Sequence, residues 1–277
     1  MVWKRDVDLV VPLWQGADDL RVAAGAAELA RLVPTSTARL HVAVFDGPRH
    51  TRDGVRNLDA VADTLQRTRD RLIHRDPHRV LTLGGDCACD IPAVQHLAAR
   101  HPGLTLYWVD AHADLNTPRT SPSGTAHGMG LRALLGEGHP DITGTPDRPA
   151  LTPAQIVLVG TRDLDPPERD HISAHGIAHV TPAELAEAPR AVTAARRTGS
   201  PAYVHLDLDV CDPADLPAVG VPAPGGPRPA QVARALAAIT AHHDLVGVAV
   251  CEYAPVLEHD QRHVTALLAA LDLTAPG

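Results

Sequence analysis

Eight short apolar segments, each separated from the next by a helical segment or a long loop, run through this chain of 277 residues. They cover residues 8–14, 39–45, 80–83, 104–109, 155–160, 177–180, 204–210 and 245–252. Strands that alternate with helices are typical of a mostly parallel sheet covered by helices on both faces. We therefore predict an α/β fold in which residues 1–277 form one domain. A TIM barrel has the same alternation and stays an alternative on periodicity alone.

Three polar side chains follow the strand at 104–109 at alternate positions, namely Asp110, His112 and Asp114. In an extended strand alternate residues share one face, so these side chains would converge. If the backbone bends, they still surround one point at the carboxyl end of the strand. Carboxylate oxygens and neutral imidazole are ligands that Mn²⁺ accepts. The alternative interpretation is an N-cap aspartate followed by solvated loop residues.

A second apolar strand carries Asp207 and Asp209, again at alternate positions. Their like charges would repel each other inside a sheet unless a cation lay between them. Two strands that each end in alternating acids predict a site for two divalent ions.

Composition excludes several other classes of function. The net charge of −8 and the absence of a Lys/Arg block argue against a nucleic-acid surface. No apolar run approaches the ~20 residues of a membrane span, and the first residues lack the apolar core of a signal peptide. Four cysteines in a long chain do not form a disulfide framework. We expect a cytoplasmic protein with reduced cysteines and neither a nucleic-acid nor a membrane partner.

Five motifs in a fixed order give the chain a resemblance to the ureohydrolase family, which contains arginases, agmatinases and related amidinohydrolases. They are Gly84-Gly85-Asp86, Asp110-Ala-His-Ala-Asp114, Ser123-Gly-Thr-Ala-His127-Gly128, His205-Leu-Asp-Leu-Asp209 and Glu252-Tyr-Ala-Pro255. The resemblance runs almost from end to end. It implies a three-layer α/β/α sandwich around an eight-stranded, mostly parallel sheet, which favours an open sheet over a barrel.

The resemblance also implies a centre of two Mn²⁺ ions. Asp110 and Asp207 would bridge the ions, and His112 and Asp209 would complete one of the two positions. Asp114 would be a ligand of the other position, and the resemblance implies a catalytic role for it as well. Two such cations lower the pKa of a water molecule held between them, so that it attacks the guanidinium carbon near neutral pH.

Two further residues resemble catalytic groups of the family. His127 is similar to its proton shuttle, and histidine titrates in the useful pH range. Glu252 is similar to the carboxylate that pairs with the guanidinium group of the substrate. The alternatives are an ordinary residue at a helix N-terminus for His127 and an ordinary acid at a strand end for Glu252.

Cys87 departs from the family pattern, because the family has histidine, a metal ligand, at this position. A thiolate is a soft ligand that suits Zn²⁺ or Fe²⁺ better than Mn²⁺. Cys87 is therefore a substitute ligand, a weak ligand or a residue that no longer binds metal. We expect one of the two Mn²⁺ ions to be held weakly.

The segment around Asp163 and Asp165 resembles the arginase version of this region, in which the second acid helps to hold the substrate α-amino group. Asn116 and Ser123 resemble the residues that receive the α-carboxylate. Alternatively, Asp163 and Asp165 form a capped turn before a helix. Val221 stands where relatives carry a threonine, which removes a hydroxyl group near the substrate.

The function implied by the resemblance is hydrolysis of the guanidino group of L-arginine or a close derivative, giving ornithine and urea. An N-hydroxy-L-arginine hydrolase that releases hydroxyurea is one alternative, and an agmatinase or guanidino-acid hydrolase is another. A metal-depleted, non-catalytic binding protein of the same fold is an alternative of a different class. The expected partners are a small guanidino substrate and, by family analogy, further copies of the chain in a trimer or hexamer.

Overall fold

The computed structural model describes residues 3–45, 47–144, 149–194 and 196–274, without the side chain of residue 190. One sheet of eight strands organises this part of the chain, with a short two-stranded hairpin beside it. The strands are β1 (Val7–Val11), β2 (Ala38–His41), β3 (Thr51–Arg52), β4 (Val55–Arg56), β5 (Val80–Gly84), β6 (Thr105–Val109), β7 (Ile156–Val159), β8 (Ala178–Val180), β9 (Pro201–Asp207) and β10 (Asp244–Cys251).

The order across the sheet is β2-β1-β5-β10-β9-β6-β7-β8, and every pairing between these neighbours is parallel. The predicted eight-stranded parallel sheet is therefore confirmed, and the open strand order excludes a closed barrel. Because all strands run in one direction, their carboxyl ends meet at one edge of the sheet, where open α/β sheets place their sites.

Helices cover both faces of the sheet. They are α1 (Arg21–Leu32), α2 (Leu58–Arg75), α3 (Ile91–Arg100), α4 (Gly130–Leu134), α5 (Pro140–Thr143), α6 (Pro166–His175), α7 (Pro182–Glu187), α8 (Pro229–His242) and α9 (Gln261–Ala270). Within the described ranges, no helix has the length and apolar character that crossing a membrane requires.

Two buried cores lie on opposite faces of the sheet, because alternate residues of each strand point to opposite sides. On β6, Leu106 and Trp108 belong to the core that packs against α2 and α3, while Tyr107 and Val109 belong to the core beneath α1, α8 and α9. The result is the predicted three-layer α/β/α sandwich, with both faces of the central strands buried.

Local details at several connections differ from what the sequence pattern predicts. Gly, Pro and charged residues at 46–54 predict a long loop, but this segment contains the small hairpin β3–β4, and residue 46 itself lies outside the described residues. Residues 127–135 are predicted to form one helix, but they are split into a 3-10 turn, His127–Met129, and the short α4. A composition rich in Gly, Pro, Asp and Thr predicts a loop at 136–154, but this segment contains α5. The many prolines of residues 213–229 predict a long loop; residues 213–228 have no regular helix or strand, and Pro229 begins α8.

Candidate active site

The acidic cluster forms where the chain bends after β6. The strand ends at Val109, so the next residues do not continue along one face of an extended strand. The Asp110 carboxylate fixes the bend by accepting hydrogen bonds from His112 N at 2.7 Å and from Trp108 Nε1 at 3.0 Å. Asp114 has a positive φ of 51°, a strained conformation for a non-glycine residue. The side chains therefore converge around the bend.

One group of possible metal ligands comprises Asp110, His112 and Asp209, whose donor atoms lie within 4.8 Å of one another. His112 Nδ1 lies 3.1 Å from Asp209 Oδ2 and 3.4 Å from Asp110 Oδ1. The other oxygen of Asp209 accepts a hydrogen bond from Ala111 N at 3.2 Å, which orients the carboxylate. This group offers nitrogen and oxygen atoms alone.

A second group contains Cys87, Asp110, Asp114 and His205, all buried and again within 4.8 Å of one another. Asp110 thus belongs to both groups. Cys87 begins a 3-10 turn that is separated from β5 by Gly85 and Asp86. Its thiol donates to Asp207 Oδ2 at 3.0 Å.

The carboxylates of the cluster are buried close to one another. Burial, followed by repulsion from neighbouring carboxylates, raises the pKa of Asp110, Asp114 and Asp207. Asp114 Oδ2 is buried without a hydrogen-bond partner in the described part of the chain. Buried like charges and an orphaned acceptor are costly unless a cation compensates them. The residues present therefore fit divalent metal ions.

His127 and Glu252 form a pair beside the acidic cluster. His127 Nδ1 lies 3.0 Å from Glu252 Oε1, and that oxygen also accepts a hydrogen bond from Cys87 N at 3.2 Å. Burial lowers the pKa of His127, but the hydrogen bond and charge of Glu252 outweigh it, so the net pKa is raised. Glu252 Oε2 is buried and, among the described residues, has no hydrogen-bond partner. Its φ of 59° marks a second strained backbone position in this region.

A cavity of about 390 Å³ opens above these groups. Its polar lining residues are Cys87, His112, Asp114, Asn116, Ser121, Ser123, Thr125, His127, Asp163, Asp165, Glu168, Asp207 and Asp209. The four predicted substrate residues are thus brought to one cavity, together with most of the predicted metal ligands. Asp110 and Glu252 are not among the lining residues, and both side chains are almost fully buried.

The predicted substrate residues differ in their surroundings. Asn116 Nδ2 donates to Asp165 Oδ2 at 2.8 Å, which ties the loop after β6 to the start of α6. Asp165 is also the N-cap residue of α6, so the alternative capped-turn interpretation agrees with the structure as well. Asp163 has a side chain that is 68% exposed at the cavity rim. The Ser123 hydroxyl is hydrogen-bonded to Thr125 Oγ1 at 2.6 Å.

Sequence reasoning did not assign two residues of this region. Glu168 lines the cavity and accepts hydrogen bonds from Leu115 N and Asp165 N, both at 2.9 Å. An acid three residues after an N-cap aspartate is the sequence signal of such a capping box. His205 lies in the second ligand group. The sequence feature that points to His205 is its position two residues before Asp207, which places both side chains on the same face of β9.

The metal-free protein should lose stability as the pH rises from about 4 to about 7. Burial, followed by the Glu252 charge, raises the pKa of Asp86 from 3.8 to about 7, and Asp110, Asp114 and Asp207 shift in the same direction. In this window the folded state binds more protons than the unfolded chain, so deprotonation favours unfolding.

Thermal unfolding of chelator-treated protein between these pH values tests this expectation. Asp86→Asn should flatten part of the slope, and added divalent ions should raise the melting temperature most at the upper pH. A melting temperature of the metal-free protein that climbs steadily through the window would contradict it.

Comparisons with known proteins identify the family and support the fold. A family model described as the arginase family matches residues 15–274. Arginase from Bacillus caldovelox is 35% identical over 227 residues, covering 78% of this chain and 74% of that protein. Its solved structure superposes with a TM-score of 0.80 at 30% identity, covering 98% of this chain and 97% of the other. The structure of arginase from Entamoeba histolytica in complex with L-ornithine superposes with a TM-score of 0.86 at 24% identity. The superposition covers 98% of this chain and 99% of the other. At this identity, the likeness supports the fold alone.

The family match spans almost the whole chain, and the fold carries a buried acidic cluster under a cavity at the carboxyl edge of its parallel sheet. The chain therefore belongs to the arginase family and is a binuclear-metal amidinohydrolase.

Proposed function

We propose that this protein hydrolyses the guanidino C–N bond of L-arginine or a close arginine derivative, releasing ornithine and urea. The observation that carries the proposal is the single cavity that joins the two ligand groups to Asn116, Ser123 and Asp165. A guanidino group at the floor and an α-amino acid head at the rim would occupy both ends of this cavity.

Metal binding is assigned to the two ligand groups together with Asp207, which lies 3.0 Å from the Cys87 thiol. Asp110 and Asp207 would contact both ions, with Mn²⁺ as the proposed ion, and His112 and Asp209 would complete one position. Asp114 and Cys87 would complete the other. Membership of Asp110 in both groups supports its bridging role. The chemistry that two bound divalent ions supply is Lewis-acid activation of a water molecule near neutral pH.

His127 and Glu252 handle the proton and the guanidinium group. Since Glu252 Oε1 engages His127 Nδ1, Nε2 is the atom left to exchange a proton with the cavity. Water supplies the oxygen that bonds to the guanidinium carbon, the bond from that carbon to the side-chain nitrogen breaks, and His127 delivers the proton that the leaving amine needs. Glu252 Oε2, which lacks a partner among the described residues, accepts a guanidinium N–H.

The substrate head is assigned to the rim. Asn116 and Ser123 receive the α-carboxylate, and Asp165, with Asp163 beside it, holds the α-amino group. Val221 is 41% exposed and lines the cavity, so the rim carries an aliphatic surface at this point. This feature and Cys87 favour N-hydroxy-L-arginine as the second candidate substrate, with hydroxyurea as the product. By family analogy we propose a trimer or hexamer.

A substrate panel tests the assignment of the rim residues. Agmatine lacks the carboxylate and guanidinobutyrate lacks the amino group, so each loses at least one charged hydrogen bond. At ~1.5–3 kcal/mol for such a bond, we expect kcat/KM to fall by roughly 10- to 100-fold relative to arginine. Released urea, hydroxyurea and amine are measured with metal-loaded protein. Higher kcat/KM for agmatine than for both arginine and N-hydroxyarginine would refute the role of Asn116 and Ser123. Higher kcat/KM for guanidinobutyrate would refute the role of Asp165.

A further inference from the structure

A histidine lies buried directly beneath the acidic cluster, and the family motifs give it no role. His205 is on β9, fully buried, and shares a face with Asp207 two residues later. Its ring stacks on Trp108 with a centroid distance of 3.5 Å and an interplanar angle of 3°. Because Trp108 also donates to Asp110, the stack fixes the ring beside the ligand groups.

The hydrogen bonds of His205 determine which nitrogen faces the cluster. Nδ1 lies 3.1 Å from Asp90 Oδ2, and the other oxygen of Asp90 accepts a hydrogen bond from Tyr203. A carboxylate accepts the Nδ1 proton, which leaves the lone pair on Nε2. That atom faces Cys251 Sγ at 3.7 Å and Asp110 Oδ2 at 4.0 Å. In metal sites, a carboxylate commonly accepts the N–H of the ring nitrogen that does not bind the metal, and this hydrogen bond orients the imidazole.

Asp90, which orients His205, lies on the same short turn as Cys87. The 3-10 turn Cys87–Asp90 begins with the thiol and ends with the carboxylate that holds His205. Asp114 Oδ2, buried without a partner in the described residues, belongs to the same ligand group. One sulfur, one nitrogen and two carboxylates therefore face the same small volume.

We propose that His205 is the imidazole ligand of the metal position that contains Cys87, and that this position selects Zn²⁺ or Fe²⁺ over Mn²⁺. The inference rests on the proposed two-ion function and refines its Mn²⁺ assignment at one of the two positions. Thiolate and imidazole together suit Zn²⁺ and Fe²⁺, and a coordinating thiol is deprotonated by its ion. The group of Asp110, His112 and Asp209 offers nitrogen and oxygen alone and suits Mn²⁺. The centre then holds two different ions.

Cobalt substitution tests the thiolate ligand. Purified full-length protein loaded with Co²⁺ should show thiolate-to-Co²⁺ charge-transfer absorption, and Cys87→Ser should lose it. Cys89→Ser is the matched control, because Cys89 is equally buried on the same turn but belongs to none of the ligand groups of the described residues. Wild-type protein without this absorption would overturn the proposal. Loss in Cys251→Ser with retention in Cys87→Ser would overturn it as well.

Competition between Zn²⁺ and Mn²⁺ tests the histidine. In the wild type, Zn²⁺ should displace Mn²⁺ from the Cys87 position at a lower concentration than from the His112 position, so that one equivalent of Zn²⁺ leaves one Mn²⁺ bound per chain. Asp90→Asn should weaken Zn²⁺ binding by roughly 10- to 100-fold, the usual effect of removing an orienting partner. His205→Gln should weaken it further. Both variants should keep Mn²⁺ at the His112 position, which also shows that they fold.

His243→Gln is the matched control for these variants, because His243 is also buried and hydrogen-bonded, to Tyr107. It should leave Zn²⁺ affinity unchanged. Wild-type Zn²⁺ affinity in both His205→Gln and Asp90→Asn would overturn the proposal, and Asp90→Asn alone decides if His205→Gln does not fold. These readouts are independent of urea release, so a protein that binds both ions but hydrolyses no guanidino compound contradicts the proposed function and not this inference.

Discussion

Replacing Asp110 with asparagine is expected to abolish urea release and to lower the metal content of the protein. Asp110 is the one residue shared by the ligand groups that contain His112 and Cys87, so in the proposed centre its carboxylate would contact both ions. Asparagine retains the shape and can still accept the hydrogen bond from Trp108 Nε1, but it lacks the charge. Asp207→Asn should act in the same way, because the Asp207 carboxylate lies between Cys87 and Asp209, at 3.0 Å from the thiol and 2.7 Å from Asp209 N.

Bound metal per chain and urea release are measured on the same samples. The matched control is Asp8→Asn, since Asp8 is a fully buried strand carboxylate paired with Arg5 and Arg39 rather than with the cluster. Asp8→Asn should lower the melting temperature and leave the number of bound ions unchanged. Wild-type activity in Asp110→Asn or in Asp207→Asn would refute the bridging assignment.

The second large effect is expected for His127→Asn, which should slow turnover by roughly 10²- to 10⁴-fold, the usual size of a general acid–base contribution. His127 belongs to none of the ligand groups among the described residues, so metal content should stay unchanged. The paired Glu252 would then lack the imidazole that it now orients through Oε1.

His96→Asn serves as the control for this variant, because His96 is partly buried and bonded to Pro77 O, outside the cavity lining. It should retain the wild-type kcat. If His127→Asn turns over at the wild-type rate with both ions bound, another group delivers the proton to the leaving amine.

The sequence predicted the architecture well but not the strand order. Eight apolar segments alternating with helices predicted a parallel sheet, and each segment contributes one strand. Local periodicity carries no information about which strands become neighbours. The last strand, β10, pairs between β5 and β9 at the centre of the sheet, and this long-range pairing depends on the tertiary packing.

The site was predictable where ligand residues follow strand ends, because parallel strands deliver them to one edge. The convergence of Asp110, His112 and Asp114 depends on a bend that periodicity does not reveal. His205 was not assigned because its position two residues before Asp207 shows that the two residues share a face of the strand, but not that the histidine lies among possible metal ligands. Its proposed role depends on Asp90 and Trp108, which lie on other elements and contact it only in the folded protein.

The most direct test of the central claim, a two-ion centre that hydrolyses a guanidino group, is a titration of metal-free protein with divalent ions. Bound metal per chain and urea released from L-arginine are measured on each sample. Activity is expected to rise until two ions are bound per chain and then to stay constant. Full activity with one bound ion would contradict it, as would two bound ions without urea or hydroxyurea from any member of the substrate panel.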